Sequence, residues 1–225
     1  GVLVDAKRMG ALAQKYNVLS ILDGVCSVAG EEIRQEEWAI DVVVTASQKA
    51  VGVPPGLALL VVSEKAMNTW KNRKTPVGNY YCDWSLWLPI MEAYEARNPS
   101  YFATPPVNLI QALERSLELI LEEGMDARFA RHKELAEKFR SKMSVLGISF
   151  LPKSAEITAN TLTAAYYPEG VDGGEFLAKV GENGVIIAGG LLPSHKTQYF
   201  RVGHMGIVSD EHIDRASEAI RKALK

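Results

Sequence analysis

Short apolar runs alternate with amphipathic stretches through the first third of the chain. Val18 to Asp23, the Val42–Val44 segment inside Asp41–Thr45, and Leu57 to Val62 are brief and rich in Val, Leu and Ile, so each predicts a buried strand. Residues 5–16 place Met9, Leu12, Ala13 and Tyr16 at helical spacing, with Asp5 as the N-cap. Glu31 to Trp38 predicts a short polar helix or turn. Ser63 to Trp70 predicts a helix with Ser63 as its cap and Glu64 in its first turn. Strands alternating with helices predict an α/β layer, a mostly parallel sheet with helices on both faces. Few strands are visible for such a sheet, which points to further strands upstream. Residues 74–104 break the rhythm and predict an irregular segment. Their aromatics (Tyr80, Tyr81, Trp84, Trp87, Tyr94, Tyr101, Phe102) argue against disorder. A substrate pocket and a packing surface under a neighbouring domain or subunit explain them equally well.

The second half changes character. Pro105-Pro106 opens a long helix with Leu109, Ile110, Leu113, Leu117, Ile120 and Leu121 on one face, and Gly124 closes it. A second helix is predicted from about 125 to 145, stopping at Gly147. The remainder of the chain reads as a smaller α+β unit, with strands at 148–151, 161–167, 185–188 and 198–203. Helices are predicted at 173–181 and 210–224, the last with Ile213, Ala216, Ala219, Ile220 and Ala223 on one face. The expected division is 1–124, part of a large α/β domain with its long connecting helix, and 125–225, a small α+β domain.

Composition narrows the function classes. Lys and Arg number 25 against 27 Asp and Glu, a net charge of -2, so no basic surplus suggests nucleic acid or an anionic membrane. Cys26 and Cys82 lie far apart and match no metal spacing or disulfide framework. A reducing, cytoplasmic setting is the default, with peroxisome and mitochondrion left open. No apolar run approaches the ~18 residues of a membrane span. The start, Gly1-Val2-Leu3-Val4, has no initiator methionine, and the expectation is the C-terminal part of a longer polypeptide.

The segment with most chemical content is Ser47-Gln48-Lys49-Ala50-Val51-Gly52-Val53-Pro54-Pro55-Gly56. It places one lysine on a stiff Pro-Pro-Gly turn just after an apolar strand. An amine with so little freedom suits repeated attack on one carbonyl carbon, as in a Schiff base with pyridoxal phosphate. Asp23 also follows a strand, so a parallel sheet would bring both to its carboxyl edge, where α/β proteins build their sites. A carboxylate there either caps a helix or pairs with a cation such as a protonated pyridine nitrogen. Tyr101 and Thr104 precede the Pro-opened helix and supply hydroxyls for a phosphate, or Thr104 caps that helix. Arg201 lies in an otherwise apolar strand. It calls for either a substrate carboxylate or a structural ion pair. His204 reads as structural rather than as a base. Gly189-Gly190 is a turn signal only.

Taken together, Leu22-Asp23-Gly24-Val25, Ser-Gln-Lys-Ala with Pro-Pro-Gly, Tyr101-x-x-Thr104 and Arg201-Val202-Gly203 resemble the class V aminotransferases, in particular the alanine–glyoxylate and serine–pyruvate group. The resemblance covers essentially the whole chain. It implies the C-terminal part of a fold-type I transferase dependent on pyridoxal 5'-phosphate. It implies Lys49 as the Schiff-base lysine, Asp23 at the pyridine nitrogen, Val25 against the ring and Gln48 on the phosphate. Tyr101 and Thr104 would reach the phosphate of the partner subunit's cofactor in a homodimer with shared sites. Arg201 would bind the substrate α-carboxylate. The implied reaction moves an amino group from alanine or serine to a 2-oxo acid such as glyoxylate, in a ping-pong scheme. The glycine-containing phosphate loop and ring-stacking aromatic of that family are expected upstream of this segment. A cysteine desulfurase-like enzyme, using Cys26 or Cys82, and a non-catalytic fragment keeping the dimer surface are the competing readings.

Overall fold

The computed structural model describes all 225 residues. Helix α1 (Ala6–Lys15) starts where the Asp5 carboxylate accepts from the Arg8 N–H at 2.9 Å. Strands β1 (Ile21–Asp23), β2 (Val42–Ala46) and β3 (Ala58–Val62) form a three-stranded sheet in that order. β1 and β2 are parallel, with Asp23 opposite Val44. β3 runs antiparallel to β2, with Ala58 opposite Ala46. The short connection between them cannot make the crossover that a parallel return requires. So the parallel step is β1–β2, and the chain turns back on itself after β2.

β1 is shorter than the apolar run that announced it. The Ser20 N–H donates to Asp41 at 2.9 Å and the Val18 carbonyl accepts from Lys65 at 2.8 Å, so side chains satisfy groups a longer ladder would use. Asp41 is buried and also receives Ser63 Oγ and Lys65 Nζ. Burial pushes its carboxyl up, but these hydrogen bonds outweigh it and hold the pKa below the ordinary value. Ser63 caps α2 (Glu64–Lys71), as its sequence predicts.

The aromatic stretch is not irregular throughout. It contains α3 (Trp84–Glu95), capped by Asp83, with Pro89 inside it hiding the helical signal. Trp87 packs edge-on against Tyr81 at 5.3 Å and Phe102 at 4.7 Å, so the aromatics pack on one another. Helices α4 (Val107–Glu123) and α5 (Met125–Val145) meet at Gly124, whose φ of 83° is the left-handed conformation a tight break requires.

The remaining strands are β4 (Leu162–Tyr166), β5 (Ala188–Gly189) and β6 (Tyr199–Gly203), an antiparallel sheet in the order β4-β6-β5. Helices α6 (Gly173–Glu182) and α7 (Asp210–Ala223) accompany it. The strand expected at 148–151 is reduced to a bridge between Phe150 and Ala165. The one expected at 185–188 is reduced to β5, offset towards Gly189. Phe139, Phe176, Phe200, Ile213 and Ile220 fill the core of this half. A separate small cluster, Ala29, Ala50, Val51, Val53 and Ile120, lies beneath the turn after β2. No helix is long and apolar enough to cross a membrane.

Phe176 is fully buried, 5.1 Å from Phe200 and 5.5 Å from Tyr167 between ring centroids. Phe176→Ala is expected to cost about 3–5 kcal/mol in urea unfolding, and a loss below about 1 kcal/mol would contradict this packing.

Candidate active site

The parallel β1–β2 pair puts the carboxyl ends of both strands at one edge. Asp23 is the last residue of β1, and its Oδ1 accepts from the Val25 N–H at 3.1 Å. That bond folds the chain away from the strand and leaves Oδ2 without a partner in the chain. Lys49 follows the end of β2 on a turn closed from within. The Ser47 N–H donates to the Leu57 carbonyl at 3.1 Å, and Ser47 Oγ donates to the Pro54 carbonyl at 2.7 Å. The N–H of Val53 donates back to the Ser47 carbonyl and that of Gly52 to the Lys49 carbonyl, both at 2.9 Å. Gly52, with φ 80°, supplies the left-handed residue this turn needs.

The same turn is gripped from outside. Arg128 of α5 is buried. Its Nη2 donates to the Ala50 carbonyl at 2.6 Å and its Nε to the Ala29 carbonyl at 2.7 Å. Its Nη1 pairs with Glu123 at 2.6 Å. Ser116 Oγ of α4 donates to the Val51 carbonyl. Glu123 also binds Arg131, whose Nη1 and Nη2 donate to the carbonyls of Val208 and Gly206 at 3.1 Å each. Sequence reading misses this cluster. Charged residues on a long helix ordinarily face water, and nothing in their spacing shows that these reach buried carbonyls.

Arg201 lies on β6 with its Nε donating to the Gly189 carbonyl at 2.7 Å. It makes no ion pair in the chain, so the structural ion pair is not what occupies it. Asp23, Val25, Lys49 and Arg201 line one open concavity of about 1150 Å³, together with Cys26, Ser27 and Leu191. Lys49 and Arg201 also line a neighbouring hollow of about 580 Å³ walled by Ile186, Ile187 and Met205. Gln48, Tyr101 and Thr104 are exposed and line neither. Thr104 does not cap α4 either; Pro106 holds that position, without a side-chain hydrogen bond. No group of His, Cys, Asp and Glu is arranged to hold a metal ion.

The Aminotransferase class-V family profile matches residues 1–212. The chain belongs to the class V aminotransferases. Alanine–glyoxylate aminotransferase 1 of Saccharomyces cerevisiae is 39% identical over 217 residues, covering 92% of this chain and 55% of that protein. Among solved structures, alanine–glyoxylate aminotransferase from Nostoc sp. superposes with a TM-score of 0.90 at 29% identity, covering 96% of this chain and 56% of the other. Pyridoxamine–pyruvate aminotransferase from Mesorhizobium loti gives 0.91 at 29% identity, covering all of this chain and 56% of that one. The chain thus spans about half the length of the relatives it matches.

Membership of the class V aminotransferases implies dependence on pyridoxal phosphate, and the donor set agrees with it. An amine, a carboxylate oxygen and a guanidinium share one concavity, and none is neutralised by another group of the chain. An aldehyde-bearing, protonated pyridine is complementary to the first two, and a carboxylate to the third.

The two buried histidines of this aminotransferase chain, His132 and His204, are structural. His204 is fully buried. Its Nδ1 donates to the Asn160 carbonyl and its Nε2 is hydrogen-bonded to Thr163 Oγ1, both at 2.8 Å. Burial pushes its pKa from 6.5 down to about 4. His132 is also buried, and its Nε2 accepts the Gly206 N–H at 3.1 Å. Hydrogen bonds from Arg131, then Arg128, outweigh burial at Glu123 and lower its pKa from 4.5 to about 2.

Both groups weaken the fold in acid. A depressed folded pKa gives stability that is complete above the unfolded value and lost as pH falls through the folded one. His204 therefore acts between 6.5 and about 4, and Glu123 between 4.5 and about 2. In denaturant unfolding across pH, Glu123→Gln is expected to start less stable but to lose less below the ordinary carboxylate range. An unchanged acid slope would contradict the ion-pair geometry.

Proposed function

We propose that this chain carries the lysine-bearing part of a transaminase that moves an amino group from alanine or serine to a small 2-oxo acid such as glyoxylate. The observation that carries the reading is Lys49. Its stiffened turn faces the concavity that also presents the free oxygen of Asp23 and the unpaired guanidinium of Arg201. In this reading residues 1–124 are part of the large cofactor-binding domain and 125–225 the small domain. The active form is a homodimer in which Tyr101 and Thr104 reach the cofactor phosphate held by the partner, while Gln48 binds the phosphate of its own. The relatives' own names, alanine–glyoxylate and pyridoxamine–pyruvate aminotransferase, support small 2-oxo acids as acceptors.

Bound pyridoxal phosphate supplies the electron sink for the pair left when the α-proton departs. Lys49 Nζ would hold the cofactor covalently. Once freed, the Lys49 amine would serve as the general base that accepts the donor's α-proton and, in the return half-reaction, as the acid that delivers a proton to the acceptor's α-carbon. The free carboxylate oxygen of Asp23 would pair with the pyridine nitrogen and favour its protonated form. Val25 forms a wall against the ring. Arg201, its Nε fixed on Gly189, offers its remaining N–H groups to the substrate α-carboxylate and so orients the α-proton towards Lys49. The first 2-oxo acid leaves before the second enters, which gives ping-pong kinetics.

Cys26 lines the same concavity, whereas Cys82 is exposed outside it, so a desulfurase reaction would depend on Cys26. Sulfide release from cysteine tests that reaction directly, and none is expected.

Borohydride reduction of the protein loaded with pyridoxal phosphate, followed by peptide mapping, is expected to place the label on Lys49. Lys49→Ala should abolish both the label and transamination. A label on another lysine would overturn the assignment. Arg201→Gln is expected to lower kcat/KM for alanine by about 10- to 100-fold, the worth of charge-assisted hydrogen bonds to a carboxylate, with the label on Lys49 retained. An unchanged kcat/KM would remove Arg201 from substrate binding.

A further inference from the structure

Lys49 lies on the turn after β2 of one sheet, and Arg201 on β6 of the other. The reaction proposed above needs them at a fixed separation, because the guanidinium holds the carboxylate while the amine reaches the adjacent carbon. Neither side chain touches the other's sheet through a ladder. Besides the Glu31–Asn160 hydrogen bonds and the Val2–Thr158 bridge, a connection runs through the end of α4 and the start of α5. From this geometry we propose that Glu123, Arg128 and Arg131 are positioning residues that set the distance between Lys49 and Arg201. The proposal rests on the roles given to those two residues under the proposed function.

The segments that carry Asp23, Lys49 and Arg201 are each tied to this cluster. Arg128 holds the Ala29 carbonyl at 2.7 Å, on the loop that leaves Asp23 and passes Val25. Ala29 itself has φ 66°, an unfavourable conformation for a residue with a Cβ, which turns the chain there. The same guanidinium holds Ala50, the neighbour of Lys49, at 2.6 Å. Arg131 holds the carbonyls of Gly206 and Val208, on the segment that leaves β6 after Arg201. Glu123 accepts from both arginines, at 2.6 Å each, and so locks them together. His132 adds a bond to the N–H of Gly206 at 3.1 Å while its Nδ1 donates to the Arg128 carbonyl at 2.8 Å. Gly206 abuts the lysine turn directly: a Cβ there would lie 3.6 Å from the Lys49 carbonyl oxygen. Arg128 and His132 are buried and Glu123 and Arg131 partly so, which shields these hydrogen bonds from competing water.

The test uses Arg128→Lys and, because that site is buried, also the half-exposed Arg131→Gln. A lysine keeps the charge, but one ammonium cannot hold two separated carbonyls and a carboxylate in the geometry of a guanidinium fork. In the unloaded protein, amide hydrogen exchange in segments 47–53 and 204–208 should accelerate about 10-fold, with α7 unchanged, as expected for local release of a tethered loop. In the whole protein loaded with pyridoxal phosphate, the borohydride label should remain on Lys49. The preference for alanine over ethylamine, which lacks the carboxylate, should fall about 10-fold or more, because a displacement near 1 Å is felt at that scale. If both variants keep that preference, or lose thermal stability while keeping it, the cluster is merely structural and the proposal is overturned. If the unaltered protein takes no label on Lys49, or shows no preference for alanine, the roles of Lys49 and Arg201 fall first and the proposal falls with them. The control on the unaltered protein therefore tells the two failures apart.

Discussion

The interaction on which the site depends is the grip of Arg128 on two buried carbonyls. Ala29 and Ala50 sit on the turns that follow β1 and β2, and their backbone oxygens point into protein rather than water. Unpaired, each would cost about as much as a lost hydrogen bond. One guanidinium satisfies both and is itself neutralised by Glu123. A charge buried this way is tolerable only because each of its three nitrogens has an acceptor. The consequence is mechanical. The turns bearing Asp23 and Lys49 become parts of one unit with the first turn of α5, and through Arg131 that unit extends to the segment after Arg201.

This arrangement lets loops do work that needs accuracy. A carboxylate at a strand end and an amine just beyond the next strand are placed by the parallel register, Asp23 opposite Val44. The internal bonds of the 47–57 turn then remove what freedom the lysine backbone retained. Arg201 is different. It rises from a separate antiparallel sheet, anchored at Gly189, and only packing between the two halves brings it to the same concavity. The two sheets therefore need the charged cluster more than either needs it alone.

The helices are legible wherever a cap and an amphipathic face coincide. Asp5, Ser63 and Gly124 mark their ends by side-chain or backbone chemistry that sequence displays. Helix α3 is hidden because Pro89 interrupts its apolar period, although Asp83 caps its start. Strand lengths are overestimated for a related reason. Val18 and Ser20 belong to an apolar run, yet the Val18 carbonyl and the Ser20 N–H pair with the side chains of Lys65 and Asp41, and such pairings are invisible before the chain is folded. Lys49 and Asp23 can be found because Pro-Pro-Gly and a strand-terminal carboxylate are local signals. Glu123, Arg128 and Arg131 cannot, since their meaning lies in carbonyls far away along the chain.

Each of these roles turns on Lys49 holding pyridoxal phosphate with Asp23 at the ring nitrogen. A crystal structure of the loaded whole protein would show this directly. Continuous density is expected from Lys49 Nζ into the cofactor, with an Asp23 oxygen within about 3 Å of the pyridine nitrogen, hydrogen-bond distance for a charged pair. Cofactor density joined to another lysine, or a pyridine nitrogen facing a group other than Asp23, would contradict it.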